Sequence, residues 1–180
     1  MKRTGWLSLL VLLAVVAVSA QEASAPVANP VSTTVKNQLT RFSKNMVAAA
    51  ESMPAEKYGF KPTPEMNSFG HLILHSLEAN NLLCSKISGT AAPDTKLAET
   101  DGKEKLVAGL KASFDFCTTA LAKVDDSKLS ESMVLFGNRP ATRAAALIGL
   151  SSGWSDHYGA QAIYLRLSGI LPPTAQPAKQ

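Results

Sequence analysis

The sequence predicts an all-α fold, a four-helix bundle running up-down-down-up with helices two and three parallel, in a chain of 180 residues. Two observations carry this reading. Four segments repeat apolar residues at helical spacing, with polar linkers between them, and none shows the alternation of a strand. The linker over residues 89–102 can span roughly 45 Å when extended, against about 30 Å for a helix of about 20 residues. It is therefore long enough to return the chain to the other end and set helix three parallel to helix two.

The first helix is expected over residues 31–53, with Ser32 or Thr33 as its cap and Leu39, Phe42, Met46, Ala49 and Met53 along one stripe. Pro54 ends it, and Gly59, Pro62 and Pro64 break the loop that follows. Ser68 caps the second helix, which runs to about Ile87 with Phe69, Ile73, Leu77 and Cys84 on one stripe. The third, over residues 103–124, repeats the pattern through Leu106, Leu110, Phe114, Cys117 and Leu121. Pro140 suits the first turn of a long fourth helix reaching Ser168, lined on one side by Leu147, Leu150, Trp154, His157 and Tyr164. Gly169 and Pro172-Pro173 stop it.

Cys84 and Cys117 lie at similar depths in helices two and three. Parallel helices would put them at one height. In a tight antiparallel hairpin they would stand more than about 10 Å apart along the axis, too far for a disulfide, whose Cα atoms are about 4.4–6.8 Å apart. Both fall on apolar stripes, so two readings stand: a Cys84–Cys117 bridge or two buried thiols. The absence of C-x-x-C argues against thioredoxin-like redox chemistry.

Residues 1–20 read as a signal peptide. Lys2 and Arg3 precede an apolar run from Leu7 to Val18, and Val18-Ser19-Ala20 supplies small residues before Gln21. The run is shorter than the roughly 20 residues that cross a bilayer. Export to the periplasm or the medium is expected, with cleavage after Ala20 and no membrane attachment afterwards. Residues 21–30 are expected as a flexible leader, 31–171 as the bundle and 172–180 as a disordered tail. Loss of Lys2 and Arg3 lowers the formal charge from +4 to +2, and no basic stripe alternates with stacking aromatics, which excludes a nucleic-acid partner.

The stretch from Pro54 to Met66 followed by Ser68-Phe69-Gly70-His71-Leu72-Ile73-Leu74-His75 resembles the junction of helices one and two in the DinB-like superfamily of helix bundles. Asp156-His157-Tyr158-Gly159 and the run from Tyr164 to Pro173 resemble its last helix and exit. The resemblance covers nearly all of residues 31–173 and implies a four-helix bundle whose second and third helices are parallel. It further implies a divalent metal held by one histidine on helix two and an H-x-x-x-H pair on helix four, and in some members thiol-dependent transferase or isomerase activity. Carried over, His75 is the helix-two ligand and His157 the second of the pair. Position 153, where the first should stand, is Gly153, and the family's glutamine is displaced, with Ala160 in its place and Gln161 after it.

The remaining donors are few. His71 is one helical turn from His75 and could chelate with it, but it lies on a more polar side. Asp156 points about 100° away from His157, and Glu78 could complete a weak site. Expected cofactors are therefore none, or a weakly bound divalent metal (Zn, Ni, Mn or Fe) on His75 and His157. Without a metal, those two histidines read as buried polar residues hydrogen-bonded between helices. Trp154, Tyr164 and Gln161 are candidate pocket-lining residues, and Arg143 and Arg166 candidate anion ligands or helix-end cations. No P-loop, G-x-S-x-G or H-E-x-x-H is present. Two functions follow: a non-catalytic bundle with a vestigial site that binds a small molecule or a protein, or a metal-dependent hydrolase or transferase. A homodimer through a bundle face fits either.

Overall fold

The computed structural model describes residues 26–177, so the expected signal peptide over residues 1–20 and half of the expected leader lie outside the described residues. Four helices carry the fold: α1 (Pro30–Ser52), α2 (Phe69–Ser88), α3 (Lys103–Leu121) and α4 (Arg143–Leu167). Two three-residue strands, β1 (Ser132–Val134) and β2 (Pro140–Thr142), form a hairpin between α3 and α4.

Pairs of touching residues give the helix directions. Asn80 meets Ser113 and Cys84 meets Cys117, so residue numbers on α2 and α3 rise together and the two helices are parallel. On α2 and α4 they run oppositely, from Asn67–Tyr164 through Asn80–Trp154 to Ile87–Arg143. Glu51 pairs with Lys111, while Lys36 reaches the carbonyls of Ala122 and Val124, so α1 opposes α3. The bundle runs up-down-down-up, as the sequence predicts.

The crossover from α2 to α3 is strapped along the bundle. Thr95 accepts from Asn81 at 3.1 Å, and Glu99 contacts His71 at 2.9 Å, so the strap climbs as α2 is followed backwards. Two glycines make room for it. A Cβ on Gly70 would stand 2.7 Å from the Glu99 carbonyl oxygen, and one on Gly109 would stand 2.6 Å from the Leu97 side chain.

Local chemistry sets the helix ends, with two departures from expectation. Ser68 caps α2 by accepting the His71 amide, and Gly89 closes it at φ 77°. Ser32, however, lies inside α1 and is buried, and Asn29 at the start offers no side-chain cap. The Asp126 carboxylate instead accepts the Val31 and Ser32 amides at 2.9 and 2.8 Å. At α4, Pro140 is not in the first helical turn. It opens β2 opposite Val134, a strand-end position where its missing N–H costs nothing, and Thr142 caps the helix by accepting from Ala145. The turn between the strands holds Gly137 at φ 60° and Asn138 at φ 58°, the left-handed pair a tight hairpin needs.

The core is built from the predicted stripes: Phe42 and Met46 on α1, Ile73 on α2, Phe114 on α3, Leu147 and Trp154 on α4, all buried. The segment expected as a disordered tail forms a short 3-10 turn over Pro173–Ala175, held where the Thr174 amide donates to the Tyr158 hydroxyl. Among the described residues no helix is long and apolar enough to cross a membrane.

Candidate functional site

α2 and α4 bring His75 and His157 together near the middle of their shared seam. The imidazole centroids are 4.9 Å apart and the rings meet edge to face, at 87°. The reading of this pair as buried, hydrogen-bonded residues is corrected by their exposure: His75 is exposed and His157 half-buried. Burial, and then the neighbouring His75, push the His157 imidazole below its ordinary value, with Asp156 opposing. Both effects favour the neutral ring, the form that can ligate a metal.

Gly153 lies one turn before His157 on α4. A Cβ there would be 3.8 Å from His157 Nε2, an ordinary contact, so a side chain at 153 would project directly at the histidine pair. The resemblance places a ligand at 153, and glycine has no side-chain donor to offer there. His71 does not replace it. Its ring stacks on His75 at 6.3 Å, but its Nδ1 is turned to Glu99 of the crossover, 2.9 Å away. Glu78 and Asp156 are exposed. Among the described residues no three His, Cys, Asp or Glu side chains are arranged to hold a metal ion. A resident zinc-type centre asks for three protein ligands with an open position, and this donor set does not fit one.

The three candidate pocket residues lie in the core. Trp154 donates to Asn80 Oδ1 at 2.7 Å and the Tyr164 hydroxyl donates to the Asn67 carbonyl at 2.7 Å, so both polar tips are tied to α2 or its entry. Gln161, one turn after His157, is 0% exposed, and neither its amide oxygen nor its nitrogen has a partner. A buried amide with all its hydrogen-bonding capacity unmet is costly. Arg166 only reaches back to the Ala162 carbonyl of its own helix, whereas Arg143 donates to the Ile87 carbonyl at the end of α2 and to Glu131. Glu99 and Asn80 are the residues sequence reasoning missed. Neither belongs to a short motif, and each acts on a residue distant in sequence.

Cys84 and Cys117 form a buried disulfide with their Cα atoms 5.3 Å apart, about two and a half turns along α2 from His75. Of the two readings, the bridge is the one the structure holds.

The model of the DinB superfamily matches residues 38–151, from within α1 through α2 and α3 into the start of α4; the match includes His71 and His75 and ends before Gly153 and His157. The chain belongs to the DinB superfamily. Its fold is similar to that of a DinB-like protein from Bacillus subtilis, with a TM-score of 0.65 at 19% identity over 81% of this chain and 99% of that one. A DinB-like protein from Bacillus cereus gives a TM-score of 0.67 at 16% identity, over 78% of this chain and 95% of that one. A conserved protein from Enterococcus faecalis gives 0.58 at 19% identity, over 75% and 94%. No curated protein matches the chain. At these identities the likeness is one of fold.

Proposed function

We propose that this is an exported DinB-superfamily bundle whose metal centre is reduced to the His75–His157 pair, and which serves as a binding protein rather than a metal enzyme. The observation that carries this is Gly153, whose missing side chain would point at His157 Nε2. All four helices of the bundle are present, and a side chain at 153 is what the pair lacks. The diversion of His71 to Glu99 adds to it. Export is supported by the Cys84–Cys117 disulfide, since such bonds persist in oxidising compartments, and by the signal-peptide pattern of residues 1–20. The partner is a small molecule or a protein outside the inner membrane.

The test is metal content and uptake in three proteins purified without chelator or affinity tag: the natural sequence, Gly153→His, and His75→Ala/His157→Ala. The natural protein is expected to carry substoichiometric metal and to take up Zn²⁺ or Ni²⁺ weakly, and the double variant not at all. Gly153→His completes an i,i+4 pair beside His75 and is expected to bind stoichiometrically. Stoichiometric Zn, Ni, Mn or Fe in the natural protein, lost in the double variant, would overturn the proposal. It would favour the second reading, a metal-dependent hydrolase or transferase on His75 and His157. The close edge-to-face approach of those two rings is what keeps that reading open.

A further inference from the structure

At the opposite end of the α2–α3 pair from the histidines, a cleft of ≈ 450 Å³ opens between the last turns of α2 and α3 and the start of α4. Ile87 and Ala120 are its buried apolar floor, and Ser88, Thr90 and Thr119 give it hydroxyls. Three cations line it, Lys123, Lys128 and Arg143, against one acid, Asp125. It lies about 18 Å along α2 from His75 and shares no residue with that site.

We propose that this cleft binds a small organic anion, a carboxylate or phosphate head on a compact apolar body, with Lys123 and Lys128 meeting the head and Ile87 and Ala120 the body. The volume falls within the range of small-ligand sites, and an apolar floor with a few convergent polar groups is their usual make-up. The carbonyl ends of α2 and α3 would by themselves repel an anion, but cations already meet carbonyls at both ends. Arg143 donates to the Ile87 carbonyl, and Lys36 to those of Ala122 and Val124. Of the nearby acids, Glu131 is paired with Arg143 and Asp126 accepts the Val31 and Ser32 amides with Lys36 close by, while Asp125 accepts from Ser127 and keeps its charge beside Lys128. Lys123 and Lys128 have no carboxylate within 4 Å among the described residues, and the three cations of the lining outnumber its one acid, so the charge at the mouth is positive. The Arg143 Nε–H is buried beside it without an acceptor. One turn behind the floor, the disulfide fixes the spacing of the two helices that form the walls, so little ordering remains to be done on binding.

The test uses the purified full-length fold with its disulfide intact, titrated with phenyl phosphate, phenylacetate, inorganic phosphate and neutral phenylethanol. Backbone amide shifts and calorimetry are the readouts. Saturable binding of the two aromatic anions is expected, with shifts centred on Ser88, Thr90, Thr119 and Lys123 and little response to phenylethanol. Lys123→Ala/Lys128→Ala removes exposed side chains that hold nothing else together, and should weaken binding about tenfold or more. His75→Ala/His157→Ala should bind as the natural protein does, which separates this proposal from the one above. Binding of inorganic phosphate alone would assign the head-group subsite and remove the apolar half of the claim. No saturable binding, equal binding of phenylethanol, or binding unchanged in the lysine variant would each overturn the proposal.

Discussion

Trp154 is anchored to Asn80, its indole N–H donating to the Asn80 side-chain oxygen at 2.7 Å in the middle of the core. The Asn80 amide nitrogen donates onward to Ser113 at 3.0 Å, so one side chain of α2 ties α4 to α3. Removing it strands a buried indole donor. Asn80→Ala is expected to lower the unfolding free energy by about 1–3 kcal/mol, measured by urea denaturation. Trp154→Phe in the Asn80→Ala background removes the stranded donor, so it should cost less than the same change in the natural protein. Additive losses would mean that the two residues do not act as a pair.

Two glycines should respond oppositely to alanine. Gly153 is inside α4 with room for a Cβ, so Gly153→Ala is expected to stabilise by about 0.5–1 kcal/mol through helix propensity. Gly70→Ala forces a methyl to 2.7 Å from the backbone oxygen of Glu99 and should destabilise, loosening the crossover. Thermal midpoints of the two variants measure both. A loss of stability in Gly153→Ala would mean that the open position serves the fold rather than the site.

His157 gives the fold a pH dependence of known sign. Its folded value is depressed from 6.5 by burial and then by His75, so the unfolded chain binds the proton more readily. The contribution is fully present above the ordinary histidine value and is lost as the pH falls through the lower folded one. His157→Gln should flatten the stability–pH curve in that window. The Asp126 carboxyl, where desolvation is outweighed by the Ser32 and Val31 amides, is held below its usual value and acts at more acidic pH. A His157→Gln curve identical to that of the natural protein would show that the window belongs to other groups.

The disulfide closes a loop of sequence separation 33. The chain-entropy estimate for a loop of that length is about 3–4 kcal/mol. Cys84→Ala/Cys117→Ala, or reduction, should lower the unfolding free energy by that order, read from denaturation with and without a thiol reductant. A negligible change would mean that the reduced, unfolded chain already keeps these two segments close together.

The stripes of apolar residues were enough to locate four helices and most of their core, because burial at a period of 3.6 is written locally. The hairpin escaped because each strand has only three residues, too few to show alternation, although Gly137-Asn138 is itself a hairpin signal. The cap on α1 could not have been found at all, since Asp126 acts on Ser32 from across the sequence. At the site, His75, His157 and the empty place at Gly153 came from the resemblance to the DinB-like superfamily, carried over residue by residue. The fate of His71 did not, because it depends on where a strap without secondary structure of its own brings Glu99.

Cys84 precedes the crossover and Cys117 follows it, so the sulfur bond straddles the longest stretch of the described chain that lacks regular structure. A protease that cuts between residues 89 and 102 would therefore yield a two-chain molecule rather than two fragments. The halves would travel as one species until reduced. In a compartment rich in proteases, the protein can lose the continuity of its backbone there without losing either half.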